Sequence, residues 1–123
     1  MTITERITQV EQGSPHETFR QLADRLGVSE ERLRGVLGFA AATLHRRKQA
    51  GRFTLEESNR LYWLTSLLDT AELVLEDAEE VKDFMTSGNL ALDGAVPLEY
   101  ARTAPGLEAV RRLLLQLDHG VVV

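Results

Sequence analysis

The chain has 123 residues, of which 43% are hydrophobic, 27% charged and 6% aromatic, and its net charge at neutral pH is −5. This balance is that of one globular domain or two small ones, and it excludes a disordered tail. The absence of cysteine excludes disulfides, thiol catalysis and thiolate metal sites. Neither a membrane span nor a secretory signal is indicated, so we expect a cytoplasmic protein.

Charge is distributed unevenly along the chain. Residues 1–60 carry a net charge of +2, whereas residues 61–123 carry −7. Within the first half, the positions 46, 47, 48 and 52 are all basic, and no acidic residue lies among them. This run predicts a local positive patch on an acidic protein, since screening confines each charge to about 8–10 Å.

Apolar residues recur at helical spacing almost throughout, and the predicted fold is all-α. Residues 1–13 form an N-terminal arm with a weak helical pattern. Ser14, Pro15 and Glu17 then predict a capped helix start, and this helix stops at Gly27. Two short helices follow, the first capped by Ser29. Three short helices joined by glycine turns predict a helix-turn-helix domain over residues 14–53.

A longer helix is predicted next, over residues 54–76. Thr54 and Glu57 form a capping box at its start. Its apolar residues cover more than one face, which predicts burial between the two halves or at a contact with a second copy. We assign Trp63 and Leu67 to such a dimer contact.

Residues 77–123 are predicted to form a small helical domain. An acidic helix to about residue 85 precedes a loop rich in turn residues over 87–97. Pro97 starts a short helix, and the Pro105-Gly106 dipeptide is expected to break the chain before a final helix over 107–119. Three valines follow the glycine that ends this helix.

Few residues indicate catalysis. His16, His45 and His119 are too scattered for a metal triad or a nucleophile–base pair, and the acidic residues of 72–83 lack the spacing of a calcium loop. An enzyme is therefore the least expected class, and no cofactor is expected in this chain.

Two features have a functional interpretation beside a structural one. The basic run over 44–52 is either the solvated side of a small helix or a set of phosphate contacts on DNA. The terminal valines either fold back onto the domain or insert into a partner, since exposed apolar patches mark interaction sites.

Two groups of residues resemble the Xre/MbcA/ParS antitoxins, particularly those paired with RES-domain toxins. The first joins the helix-turn-helix to the long helix: Thr43-Leu44-His45-Arg46-Arg47-Lys48, Gly51-Arg52 and Glu56-Glu57-Ser58. The second lies in the last domain: Asn89-x-Ala91-Leu92-x-Gly94, Pro97-Leu98-Glu99, Thr103, Gly106, Val110, Leu114 and Asp118-His119-Gly120-Val121. The spacing of the second group is the more specific signal.

The resemblance implies that the helix capped by Ser29 is the first helix of the motif and that the helix beginning near Ala41 is the recognition element. Departures are Arg34, where relatives have a small residue, and Ala40, where they have a polar cap. The expected DNA contacts are Thr43, His45, Arg46, Arg47, Lys48 and Arg52. The expected toxin contacts are Leu90, Leu92, Pro97, Leu98, Gly120, Val121, Val122 and Val123, with the three valines as a plug.

The resemblance also implies a function. The partner would be a RES-domain toxin that consumes NAD or transfers ADP-ribose from it, and NAD would belong to that toxin. The chain would block the toxin, bind operator DNA, repress the shared operon and form a homodimer or a higher oligomer with toxin. A free-standing helix-turn-helix regulator whose last domain only dimerises is the alternative.

Overall fold

The computed structural model describes residues 1–118, and within them the chain forms eight α-helices and no strand. The prediction of an all-α fold is confirmed. A single turn of 3-10 helix at Leu90–Leu92 lies between the sixth and seventh helices. The helices are α1 (Ile3–Gln12), α2 (His16–Leu26), α3 (Glu30–Leu37), α4 (Ala41–Ala50), α5 (Leu55–Leu75), α6 (Ala78–Thr86), α7 (Pro97–Tyr100) and α8 (Ala104–Asp118).

Most helix boundaries follow from capping residues. The Ser29 side chain accepts a hydrogen bond from the Arg32 amide at 3.1 Å, and α3 ends at Gly38 in the left-handed region (φ 74°). Thr54 and Glu57 form both bonds of the predicted capping box, at 2.9 and 3.3 Å. Each cap supplies a partner for a backbone group that has none within its helix.

Two boundaries differ from the predictions. Helix α2 begins at His16, one residue after the proline that was expected to start it. Glu17, which was expected to help cap the helix, forms an ion pair with Arg20 at 2.8 Å. The expected break at Pro105-Gly106 is wrong, because α8 already begins at Ala104 and the Thr103 side chain accepts a hydrogen bond from the Gly106 amide at 3.1 Å. Proline is compatible with a first helical turn, since a backbone N–H in that turn would have no acceptor within the helix.

The described chain forms two compact units. The first comprises residues 1–24 and 28–65. Its core contains an aromatic group in which Phe39 stacks on Phe53 with ring centroids 5.6 Å apart, and Phe19 lies 6.3 Å from Phe53. These rings are buried, together with Leu33 and Leu61. They join the short helices to the start of α5 and fix the orientation of α4.

The second unit comprises residues 25–27 and the chain from residue 66 onward. Leu68, Met85, Leu98 and Leu114 are completely buried in its core. Gly106 is required by packing, because a Cβ atom at this position would collide with the Tyr100 carbonyl oxygen. This close approach keeps α7 against the start of α8.

Candidate functional site

The turn between α3 and α4 is held by a side chain that the sequence marks as unusual. The Arg34 guanidinium donates a hydrogen bond to the Phe39 carbonyl oxygen at 2.8 Å, and the Phe39 ring is buried beneath it in the core of the unit. Arg34 lies where the antitoxins that this chain resembles have a small residue, and here its side chain supplies a hydrogen-bond donor to a carbonyl of the turn. This contact links α3 to the residue that lies just before α4.

The first turn of α4 has no side-chain cap. Ala40 adopts the extended backbone of a cap residue, but no side-chain hydrogen bond closes the helix end. The first amide groups of α4 therefore have no intrahelical partner, as at every helix start. A phosphate oxygen is one group that can satisfy such donors.

Arg47 is committed to the fold. Its guanidinium donates two hydrogen bonds to the Glu57 carboxylate, at 2.7 and 3.2 Å, and only 23% of the Arg47 side chain and 13% of the Glu57 side chain are exposed. The pair ties α4 to the start of α5. Two of the donors of Arg47 are therefore engaged within the protein, and its expected contact with DNA stays a prediction.

Thr43 and Arg52 are also engaged within the first unit. Arg46 donates to the Thr43 hydroxyl at 3.2 Å, and Arg52 donates to the Gly13 carbonyl at 2.9 Å. Arg52 also forms an isolated antiparallel bridge with Pro15. Both residues are expected to act mainly by holding the ends of α4.

The remaining polar side chains define an outward face of α4 (His45, Arg46, Lys48 and Gln49). All four residues are exposed. Gln49 lies one turn after His45 and was not among the predicted contacts, although glutamine can pair with adenine in the major groove. The missed signal was the four-residue spacing of His45 and Gln49. The structure shows that the less exposed side of α4 is formed by Thr43, Leu44 and Arg47.

The Arg47–Glu57 pair makes an acid-dependent prediction. Burial raises the pKa of Glu57, but hydrogen bonds from Arg47 and Thr54 outweigh it, and the net pKa lies below the ordinary glutamate value. The stabilisation is therefore present above that ordinary value and is lost as the pH falls through the lowered pKa. Glu57→Gln is expected to cost about 1–3 kcal/mol of unfolding free energy at neutral pH, because a hydrogen-bonded ion pair is lost.

Urea unfolding of the parent chain and of the Glu57→Gln variant between pH 7 and pH 3 measures the difference between their free energies of unfolding. The difference should narrow in acid, as the pH falls below the ordinary glutamate pKa and through the lowered pKa of Glu57. Glu56→Gln is the matched control, since the Glu56 side chain is 80% exposed in its pair with Arg60. A gap that stays constant across the acid range would contradict the stabilising charge on Glu57.

In the second unit, the loop between α6 and α7 presents one leucine to solvent. The Asn89 side chain accepts from the Ala91 amide at 2.9 Å, and the Asn89 carbonyl accepts from the amides of Leu92 and Gly94 at 3.0 and 2.9 Å. Leu90 lies within this hydrogen-bonded turn, and 94% of its surface is exposed. Because these bonds already hold the backbone of the turn, burial of Leu90 against another molecule would require little further ordering of the backbone.

The other leucine and proline residues predicted to bind the toxin in this region are buried. Leu92 is 6% exposed, Leu98 is 0% exposed and Pro97 is buried, and their role in toxin binding stays a prediction. They anchor the loop from beneath. Gly120, Val121, Val122 and Val123 lie outside the described residues, so the plug stays a prediction.

The dimer contact assigned to α5 is corrected in one residue. Trp63 is 51% exposed, whereas Leu67 is completely buried within the chain and has no surface for a second copy to contact. Trp63 therefore stays a candidate, and Leu67 is a core residue.

Among residues 1–118, no group of three or more histidine, aspartate and glutamate side chains is arranged to hold a metal ion. No helix of that part is long and apolar enough to cross a membrane.

Two family models match the sequence. Residues 5–66 match the antitoxin Xre-like helix-turn-helix domain, and residues 70–120 match the antitoxin Xre/MbcA/ParS C-terminal toxin-binding domain. Neither family is an enzymatic one. A comparison with curated proteins finds no match.

Proposed function

This chain belongs to the Xre/MbcA/ParS antitoxins, and from that premise we propose that it silences a RES-domain toxin by occupying the entrance of the toxin's active site. The partner would consume NAD or transfer ADP-ribose from it, and the dinucleotide would bind to the toxin only. The chain would also bind operator DNA in the cytoplasm and repress the operon that encodes both proteins.

The observation that carries the proposal is the exposure of Leu90 on a hydrogen-bonded turn of the toxin-binding domain. A turn whose backbone is already held by hydrogen bonds loses little backbone entropy on binding. The residues around it, Asn89, Ala91, Leu92 and Gly94, belong to the group that resembles antitoxins of RES-domain toxins. Leu90 would dock the domain, and the terminal valines would enter the cleft.

DNA binding would use the outward face of α4. Arg46 and Lys48 would contact phosphates or guanine, His45 and Gln49 would approach base edges, and the uncapped first turn would face a phosphate. Since the whole chain carries a charge of −5, binding depends on this local positive field rather than on net charge. The two activities would lie in separate units, so each can be removed alone.

The direct test is the open reading frame beside this one. We expect it to encode a RES-domain protein that copurifies with the chain, and we expect the purified complex to turn over no measurable NAD until the antitoxin is removed. NAD consumption is followed by absorbance after coupling to a dehydrogenase, with the chain alone as the control. A complex that consumes NAD at the rate of the free toxin would contradict active-site blockade.

A further inference from the structure

Helix α1 is ordered but leaves its apolar side uncovered. Its start is closed by a capping box, in which the Glu5 amide and the Thr2 side chain bond at 3.1 Å and the Thr2 amide and the Glu5 carboxylate bond at 3.0 Å. None of its ten residues is buried, and Ile3 and Ile7 are 64% and 50% exposed. So short a helix is marginal without packing, and an apolar stripe left in water marks a contact surface.

This stripe forms one wall of an open groove in the first unit. The groove has a volume of about 340 Å³ and is lined by Ile3, Ile7 and Val10 of α1 and by Leu55, Asn59 and Tyr62 of α5. Leu55 is itself 53% exposed. The lining is mainly apolar, and it runs along two helices, which is the shape that accepts a third helix.

Two opposite charges flank the stripe. Arg6 and Glu11 also line the groove. At 100° per residue, Arg6 lies on one side of the line through Ile3, Ile7 and Val10, and Glu11 lies on the other. In heptad terms, Ile3, Ile7 and Val10 take the d, a and d positions, Arg6 takes g and Glu11 takes the following e.

This pattern selects the occupant and its direction. A helix that fits the groove needs apolar residues at the same spacing, a base on one side and an acid on the other, and α1 of a second copy has this arrangement. When two such helices run parallel about a two-fold axis, each g residue faces the e residue five positions later in the partner. The dimer would therefore contain two ion pairs, each between Arg6 of one copy and Glu11 of the other. An antiparallel pair would instead place Arg6 against Arg6 and Glu11 against Glu11.

We propose that the groove between α1 and α5 is a dimer seat that receives α1 of a second copy, with the two α1 helices parallel. Trp63 lies one turn after Asn59 on α5, beside the groove, and extends the apolar surface that the second copy would cover. A two-fold contact within the helix-turn-helix unit would present two α4 helices to the two halves of a palindromic operator.

Charge reversal tests the seat and its direction together. Sedimentation of the full chain without toxin, at low salt and micromolar concentration, is expected to show a dimer. Arg6→Glu and Glu11→Arg should each raise the dissociation constant about tenfold or more, because each places like charges opposite one another. The double variant should return to the dimer, because it restores both pairs with their signs exchanged.

Gln12→Glu and Gln12→Arg are the matched controls, since residue 12 is exposed on α1 and does not line the groove. Circular dichroism of every variant verifies that the helices are retained, and none of the substitutions touches the Thr2–Glu5 cap. A monomeric parent chain, single variants that remain fully dimeric, or a double variant that stays monomeric would each overturn the proposal. If only the toxin covered the groove, the parent chain without toxin would be monomeric.

Discussion

Arg46→Glu is expected to weaken operator binding by about 5- to 150-fold, without loss of toxin neutralisation. The range corresponds to about 1–3 kcal/mol for a contact between arginine and a base edge or phosphate. Arg46 is the exposed arginine of α4, and its guanidinium donates one hydrogen bond to the Thr43 hydroxyl at 3.2 Å. A glutamate there would also repel the neighbouring phosphates.

Electrophoretic mobility shift with the operator, repeated over a series of salt concentrations, measures the effect. If Arg46 contacts phosphate, the slope of log K against log salt should fall by about one for each bound copy. Arg112→Glu is the matched control, since Arg112 is an exposed arginine of α8 and the change in net charge is the same. If Arg46→Glu and Arg112→Glu bind the operator with equal affinity, the assignment of α4 as the recognition helix is wrong.

Arg47→Glu separates folding from DNA contact. This substitution would place two carboxylates together at the junction of α4 and α5, where Glu57 now accepts two bonds from Arg47. Its effect should therefore appear in thermal unfolding as well as in DNA binding, whereas Arg46→Glu should leave unfolding unchanged. The two adjacent arginines thus have different roles.

Local sequence was sufficient to place most of the helices. Ser29, Gly38, Gly51 and the pair of Thr54 with Glu57 each act on backbone groups within four residues of themselves, so their pattern alone indicates where a helix begins or ends. The Pro105-Gly106 dipeptide was misinterpreted for a related reason. It is common both in chain breaks and in first helical turns, and the Thr103 cap that decides between them is a weaker signal.

The functional surfaces required the fold. Arg46 and Arg47 are adjacent and chemically identical, and only the position of Glu57 against α4 shows which one is turned inward. The loop around Leu90 has no helical or strand period, so the sequence could not show that Leu90 is exposed while Leu92 and Leu98 are buried. Burial in such a loop is decided by contacts between segments that are distant along the chain.

Leu90→Glu is expected to reduce affinity for the toxin by two or more orders of magnitude. A buried apolar anchor at the centre of an interface contributes about 2–4 kcal/mol, and a carboxylate in its place would have to be desolvated without a partner. The cost to folding should be within about 0.5 kcal/mol, because Leu90 contacts little of its own domain. Leu73→Glu is the matched control, since Leu73 is another exposed leucine, 78% accessible, on α5.

Deletion of residues 121–123 is expected to have a different result, because docking and plugging would be separate steps. The shortened chain should still copurify with the toxin through Leu90, but the toxin in that complex should consume NAD and cells should not be rescued. Titration calorimetry measures the binding step and NAD turnover measures the blockade. If the shortened chain inhibits fully, the valines are not the plug. If Leu90→Glu binds as tightly as Leu73→Glu, the loop is not the docking site.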